Sequence, residues 1–411
     1  MELFLCKFVS NHQNIITMNY ILFDDKSWDN LLPLTFTKPV CEIRVGIYTI
    51  KEKWENHLNQ NVTYLIKDYL SHKYCLKTEA ENILINGSVF PNLQLIDKIS
   101  SLKNGEALLK NDQLIALKCN QKEISDFNYN NYIKYKSIEY PHDIIKINWP
   151  WEIFSFNGLA IEYDFAWAIK NRKSQPISST NNILGKENIF VEEGAQLEFA
   201  TLNANTGPIY IGKDAEIMEG SMVRGPFVLC EHSTLKLGTK IYGPTTIGPH
   251  SKVGGEVNNS VIFGYSNKAH DGFLGNSVIG EWCNLGADTN NSNLKNNYAE
   301  VRLWNYETEK FINTGLQFCG LIMGDHSKCA INTMFNTGTV VGVSANIFGE
   351  GFPRNFVPSF SWGGAHGFTI YSLEKALEVA EKVLARRNIK LSADDKDILS
   401  TIFKLTAKYH H

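Results

Sequence analysis

Aliphatic residues recur at every sixth position through the middle of this chain. Ile211, Ile217, Val223, Leu229, Leu235, Ile241, Ile247 and Val253 keep the interval unbroken. Four places after each stands a mostly small residue: Ala215, Ser221, Phe227, Ser233, Thr239, Thr245, Ser251 and Val257. Gly212, Gly248 and Gly254 follow directly after an aliphatic. A period of six matches neither a 3.6-residue helix nor the two-residue alternation of a lone strand. It matches a β-solenoid whose flat sides each take one hexapeptide. The aliphatic points inward, the small residue fills the space beside it, and glycine tolerates the corner. Three sides close a triangular turn, and each turn rises by one strand spacing, roughly 4.8 Å.

The rule extends both ways with slips. Val191 and Leu197 precede it, with Ala195 and Thr201 in the small slots. Phe273, Ile279 and Leu285 follow, shifted by two. Met323, Cys329, Phe335, Val341 and Ile347 resume it, with Ser327, Thr333, Thr339 and Ala345 beside them. A solenoid is therefore predicted over 183–350, interrupted at 289–316. That excursion is polar and too long for a corner, and long loops of this kind are functional or disordered. The expectation is that it lies against a neighbouring subunit and lines an acceptor site.

At 411 residues the chain has room for two or three domains. A net charge of −3 gives no basic excess for nucleic acid, and no apolar run approaches the ~18 residues of a membrane span. Residues 1–17 read as an extension without the small-residue cleavage site of a signal peptide, with Met18 available as a start. Eight scattered cysteines without CxxC pairs, some in solenoid core slots, fit free thiols in a reducing cytoplasm.

Before the solenoid, strands are expected at NYILFD (19–24), VTYLI (62–66), NILINGSVF (82–90) and QLIALKC (113–119). Helices around Ile47–Leu58 and from WPWEIF (149–154) to Asn171 alternate with them, which predicts a parallel α/β domain over 18–175. Lys173–Asn182 reads as a linker. Beyond 351 the sequence FPRNFVPSFSWGG reads as irregular, then an amphipathic helix spans Leu373–Arg387. Ser392 with Asp395 opens a last helix in capping-box fashion. These helices are expected to cap the solenoid's open end, where strand edges are unpaired.

An α/β unit followed by a hexapeptide solenoid resembles the bifunctional N-acetylglucosamine-1-phosphate uridyltransferase/glucosamine-1-phosphate N-acetyltransferases and their archaeal relatives. NKAHDGFLG (267–275) is similar to the segment around that family's catalytic histidine, which the resemblance carries onto His270. Phe273 stands where the bacterial enzymes have tyrosine. CNLGADTNNSNLKNN (283–297) resembles the following "N-x-G-A-G-T … N" segment. It implies substrate contacts at Asn284, Asn293 and Lys295 and an acetyl-CoA contact at Ala287. AINT (330–333) falls where the family's coils meet the coenzyme, implying Asn332 and Thr333. The lysine pair that precedes the bacterial histidine is absent; the chain reads Val257-Asn258-Asn259-Ser260.

LLPLTFTKP (31–39) resembles the nucleotidyltransferase "R-P-L-T-x-x-x-P-K" segment, and WPWEIFSFN (149–157) the late "P-W-D-L-L-x-x-N" segment. Lys38 and Arg44 are the residues there that could hold a phosphate. Two features of that domain are missing. Asp24-Asp25-Lys26-Ser27-Trp28 stands in place of the glycine-rich loop that cradles a triphosphate. Asn86-Gly87-Ser88 stands in place of "N-G-D", whose aspartate holds magnesium, and a hydroxyl is a poor replacement on a hard cation. Magnesium is thus expected only if this half is active.

Taken together, the resemblance implies a left-handed parallel β-helix and a cytoplasmic homotrimer. It implies an acetyl-CoA-dependent N-acetyltransferase acting on an amino-sugar phosphate such as glucosamine-1-phosphate. The alternatives are a sugar-1-phosphate nucleotidyltransferase whose solenoid only trimerises the chain, and a non-catalytic scaffold. His232 and His250 stand three hexapeptides apart and stack, with His270 placed to continue their ladder. The γ-class carbonic anhydrases bind zinc with histidines on such coils, but their close histidine pair on adjacent strands is absent, and no metal site is predicted.

Overall fold

The computed structural model describes residues 18–410. The extension expected at 1–17 lies outside the described residues.

The first unit is built on a six-stranded sheet in the order Thr63–Leu65, Asn19–Phe23, Glu81–Asn86, Gln113–Asn120, Glu106–Lys110, Lys136–Glu139. It is mixed, not parallel throughout. Asn19–Phe23 runs parallel to both neighbours, but Gln113–Asn120 is antiparallel to the strand on either side. The cause is local. Asn111 and Asp112 both take positive φ, 48° and 60°, and such a pair closes a two-residue hairpin. The strand 106–110 before that turn was not expected from sequence. The helix Ile50–Leu58 starts where Thr49 and Glu52 cap each other's backbone N–H.

The solenoid begins at Asn182. Its three faces are parallel sheets, and the third ends in an antiparallel hairpin, Ser361–Gly364 with Gly367–Ile370. Along the second face Ile211, Leu229 and Ile247 pair in register, and along the third Ile217, Leu235 and Val253 do the same. All six are buried. The small slots at Ser221, Ser233, Thr239, Thr245 and Ser251 are buried too. Their hydroxyls stitch coils together: Ser251 Oγ donates to Phe263 O at 2.8 Å and accepts from Ser266 N at 3.1 Å.

The slip has its largest step at one corner, with one residue more lost between Val257 and Ile262 and again between Leu274 and Ile279. The corner after Val253 holds only Gly254 and Gly255, where the preceding coil uses four residues. Val257 therefore pairs with Ile241, and Leu274 with Val257. Val257 and Leu274 are core residues, while Phe273, expected inside, points outward. The coils also continue past 350: Phe356–Val357 and Ser361–Gly364 pair with the preceding strands. That corrects the reading of 352–364 as irregular.

The second face differs from the others. Its strands Ile209–Ile211, Phe227–Leu229, Thr245–Ile247, Leu321–Met323 and Thr339–Val341 are buried at every residue, because one side faces the solenoid interior and the other meets the first domain. Phe190, Tyr210, Val228 and Cys230 pack against Ile47, Ile161, Phe165 and Ala168. Thr246 Oγ1 donates to Gly46 O at 3.1 Å, and Asn157 Nδ2 to Pro244 O at 3.2 Å.

One expectation about packing is corrected. The C-terminal helices Leu373–Ala385 and Ala393–Leu405 lie along the solenoid's flank against the first domain and do not cap its end; Lys73 pairs with Asp395 at 2.9 Å, and Arg387 donates to His250 O at 3.1 Å. The excursion folds into an antiparallel hairpin, Arg302–Asn305 with Lys310–Asn313, that packs on its own chain. Trp304 stacks on Phe356 with ring centroids 4.3 Å apart, and Tyr306 meets Phe36 edge-on at 5.2 Å.

Asp325 ties the domains together. Its carboxylate accepts from Thr37 Oγ1 at 2.6 Å and Glu281 N at 2.8 Å and pairs with Lys38 Nζ at 3.0 Å. Glu281 reaches the same ammonium at 3.0 Å. Removing one partner of a buried pair strands the other's charge, at about 3–5 kcal/mol. Lys38→Met should lower stability by that order, and Lys38→Met with Asp325→Asn should lose less, because the stranded charge is gone. Urea-unfolding midpoints measure both.

Candidate functional site

His270 occupies the corner between Asn267–Lys268 on the third face and Phe273–Gly275 on the first. It is solvent-exposed, and its φ is not left-handed, so a structural role as a strained corner residue does not apply. Asn267 and Asn284 are in register, and the corners 269–272 and 286–289 are equally long. Ala287 therefore lies one coil above His270. Asn332 lies one coil further, donating its N–H to Ala287 O at 2.8 Å, with its backbone held at φ 56°. Thr333 is buried, and its hydroxyl donates inward to Ala330 O at 2.8 Å.

The first face beyond this corner gathers further residues. Phe273 N donates to Asn290 Oδ1 at 2.8 Å. The Phe273 ring lies across Gly275: a Cβ there would stand 2.5 Å from Phe273 Cζ and 2.7 Å from Asn293 Nδ2. Only glycine admits this packing, and it brings Phe273 and Asn293 together. Asn293 Nδ2 donates to Asn276 Oδ1 at 2.8 Å. Asn284 Oδ1 accepts from Asn267 Nδ2 at 2.9 Å on the third face.

Three of the singled-out residues lie elsewhere. Lys295 donates to Glu300 O at 2.8 Å and lines a groove with Arg302, Trp304 and Thr337 beneath the hairpin. Lys38 is the interdomain ammonium described above. Burial opposes its charge, but Asp325 and Glu281 outweigh that and hold it above its ordinary range. Arg44 is held by the Ile47 carbonyl and pairs with Glu52 at 3.3 Å. Cations committed in this way are not open to a phosphate, which counters the reading of Lys38 and Arg44 as phosphate ligands.

Sequence reasoning missed Lys268. It stands in the interior column between Val253 and Leu285, where an aliphatic belongs, and it is buried. The signal was present: with the short corner at 254–255 and one further residue lost between Val257 and Ile262 counted, the six-residue rule lands on a lysine.

The histidine ladder runs differently from the expected one. His232, His250, Tyr265, Trp282 and His326 stack in one left-handed corner column, each with φ between 55° and 63°. Tyr265, not His270, follows His250, since Thr246 pairs with Val261 and that coil has only 15 residues. Among the described residues no group of three or more His, Cys, Asp or Glu side chains is placed to hold a metal ion.

Comparison with known proteins bears on both halves. Residues 20–173 match the family model described as sugar nucleotidyl transferase. The first domain is thus similar to sugar nucleotidyl transferases. A bifunctional sugar-1-phosphate nucleotidylyltransferase/acetyltransferase of Sulfurisphaera tokodaii is 29% identical over 215 residues, covering 52% of this chain and 47% of that protein. The bifunctional protein GlmU of Methanocaldococcus jannaschii is 33% identical over 87 residues, 21% of each chain. The chain thus spans less than half the length of the curated relatives it matches. Among solved structures, a UDP-N-acetylglucosamine acyltransferase of Francisella novicida covers 57% of this chain and 78% of its own, at 12% identity and a TM-score of 0.24, too low to carry an argument.

In the first domain, the loop after the first strand and the Asn86-Gly87-Ser88 turn come together, and their polar groups are taken up by one another and by Lys146. Asp25 Oδ2 accepts from Asn86 Nδ2 at 2.8 Å and pairs with Lys146 Nζ at 2.7 Å. Its Oδ1 accepts from Ser27 N at 2.9 Å and from the Ser27 hydroxyl. Burial alone would raise its pKa, but Lys146 prevails and holds it low. Ser88 turns its hydroxyl to Asn86 Oδ1 at 2.6 Å. Asp24, beside it, is pushed up to about 8 by burial, despite the Val40 N–H at 3.0 Å. One carboxylate saturated by an ammonium, an amide and a hydroxyl, next to one pushed toward its neutral form, does not fit Mg2+.

His326 Nδ1 is buried without a partner, and burial pushes the imidazole down to about 3. Folding therefore favours the neutral ring, and the unfolded chain, with a histidine near ~6.5, takes up a proton the fold refuses. Stability should fall as pH drops from about 6.5 toward 3. Phenylalanine keeps the stack, so His326→Phe should flatten the melting temperature's fall between pH 6 and pH 4, measured by circular dichroism.

Proposed function

We propose that this chain is an acyltransferase that moves an acetyl group from acetyl-CoA to the amine of an amino-sugar phosphate such as glucosamine-1-phosphate, with His270 as general base. The observation that supports this most is the exposed imidazole on a solenoid corner, inside a segment that resembles the family's catalytic one. Ala287 and Asn332 follow in the coils above it. The curated relatives named above, one of them a nucleotidylyltransferase/acetyltransferase, point the same way.

The chemistry follows from the groups at hand. A sugar amine is mostly ammonium at neutral pH and cannot attack. The ammonium gives one proton to solvent, and His270 takes a second from the nitrogen as the C–N bond forms, a general-base task for which an imidazole is suited. The thioester oxygen gathers charge in the tetrahedral intermediate, and backbone N–H groups of the corner can stabilise it. The C–S bond then breaks, and the thiolate recovers the proton from His270. No covalent acyl-enzyme is needed. Phe273 and Asn293 lie where they can meet the sugar, and Ala287 and Asn332 where they can meet the coenzyme.

A homotrimer is part of this reading. The second face is covered by the chain's own first domain, whereas the open edge between the third and first faces exposes Phe199, Leu237 and Ile331, each about two-thirds accessible. His270 lies on that same edge, so a neighbouring copy would close its groove. The first domain is proposed to be inactive in transfer, because Lys146 occupies the charge position a metal would need.

Thiol release from acetyl-CoA against a panel of amino-sugar phosphates tests the proposal. Transfer to at least one acceptor is expected, and His270→Ala should cut its rate by roughly 10²–10⁴. An unchanged rate in that variant would remove His270 from the chemistry, and no acceptor at all would remove the activity. Pyrophosphate release from a nucleoside triphosphate and a sugar-1-phosphate should stay at background; its appearance would return the first domain to catalysis.

A further inference from the structure

An ammonium inside a hydrophobic prism needs a reason. Lys268 sits among Leu235, Val253, Leu285 and Cys329, all buried, and is itself 3% exposed. Nothing in the packing asks for a charge there, and an aliphatic side chain would follow the rule that the rest of the column obeys. The reason lies in the backbone around it.

The corner at Gly254-Gly255 is two residues shorter than the corner 269–272 stacked on it. Where four-residue corners stack, the second carbonyl accepts an N–H of the next coil, as Glu219 O does from Gly238 and Ala287 O from Asn332. His270 holds that second place, but the Asp288 N–H goes to Asp271 O, and the two-residue corner at 254–255 has no counterpart to offer. Among the described residues, neither Gly254 O nor His270 O accepts a backbone N–H. A carbonyl left unpaired away from water costs free energy, so such groups find other partners. Lys268 Nζ donates to Gly254 O at 2.9 Å and to His270 O at 2.8 Å. The long flexible stem fills the aliphatic slot, and the ammonium at its tip supplies the donors the mismatched ladder lacks. Burial pushes Lys268 down to about 8, with Asp271 and Asp288 pulling the other way.

We propose that Lys268 is a positioning residue: by tying the His270 carbonyl to that of Gly254, its buried ammonium fixes the four-residue corner in the arrangement that presents the His270 imidazole to the groove. The inference rests on the reading of His270 as the base. Lys268 touches neither substrate nor coenzyme in this account and acts only through the histidine's backbone.

The test uses the full chain with Lys268→Met, which keeps the apolar stem, and Lys268→Gln, which keeps a donor. Two readouts are needed. The first is kcat and KM for acetyl transfer, in the wild-type and His270→Ala backgrounds. The second is the rate at which diethyl pyrocarbonate modifies His270, followed by peptide mass spectrometry. In Lys268→Met, kcat should fall about tenfold or more with KM for acetyl-CoA unchanged, as expected when a reacting group is misplaced. In the His270→Ala background the same substitution should cost nothing further, because both residues act as one unit. The modification rate of His270 should change with it, and Lys268→Gln should fall between the wild type and Lys268→Met.

A Lys268→Met protein with wild-type kcat and a wild-type modification rate would overturn the proposal. So would an equal further loss in the His270→Ala background, the signature of a general structural role. If methionine prevents folding, glutamine decides by the same two readouts. If the wild-type chain transfers no acetyl group, the function reading fails, while the modification rate still decides whether Lys268 sets the exposure of His270.

Discussion

Parallel coils impose one constraint that governs the whole second half of this chain. A residue on a flat side must sit above its counterpart in the coil below, so the sides cannot change length; only the corners can. Every departure from the six-residue rule falls at a corner. Gly254-Gly255 removes residues there, and the excursion adds them, so that adjacent strands pair Ile279 with Met323. A corner that differs in length from the one beneath it breaks the backbone ladder locally. Such places need special side chains, and they are also where groups can be turned outward to solvent. His270, Lys268 and the hairpin at 302–313 all belong to such places.

The same constraint explains how the two domains are joined. A flat face of stacked strands is an unusually regular surface, and the first domain covers one of the three. Strands on that face are apolar on both sides, giving triples such as Phe227-Val228-Leu229, whereas the other faces alternate. Around the rim of this contact the charges are paired across the boundary, with Asp325 collecting Lys38, Thr37 and the Glu281 N–H. Lys38 thus belongs to the joint between domains. The C-terminal helices and the hairpin seal the remaining sides of the same joint, which leaves one edge of the solenoid open.

How much of this could be read from the sequence depends on the range of the interaction. The interior columns are local and periodic, so the solenoid and its interruption were legible before any coordinates. The exposed position of His270 followed from its segment. The mixed order of the first sheet was not, because it turns on two residues, Asn111 and Asp112, whose left-handed backbone no hydrophobic pattern announces. The role of Lys38 was hidden for another reason: its partner Asp325 is 287 positions away (325 − 38). Lys268 was hidden by arithmetic, since a two-residue slip at 254–255 and a one-residue slip before Ile262 had to be placed before the lysine fell on a core slot. The aromatic column went astray in the same way, with Tyr265 taking the place assigned to His270.

Two lysine ammonium groups, set side by side, show how an internal cation can serve opposite ends. Lys146 sits against the Asp25 carboxylate in the first domain, and that carboxylate is already saturated by Asn86 and Ser27. A cation supplied by the chain itself neutralises the charge without bringing the open coordination positions that phosphoryl transfer takes from a metal. The shape of the site survives, and its electrostatic demand is met internally. Lys268 does the reverse. It meets a demand created by mismatched corners, and in doing so it leaves an imidazole free at the surface. Burial works against the charge of Lys268, and both ammonium groups are held by oxygen atoms at hydrogen-bond distance. On the reading proposed above, the internal cation of the first domain closes off a site, and that of the solenoid holds one open.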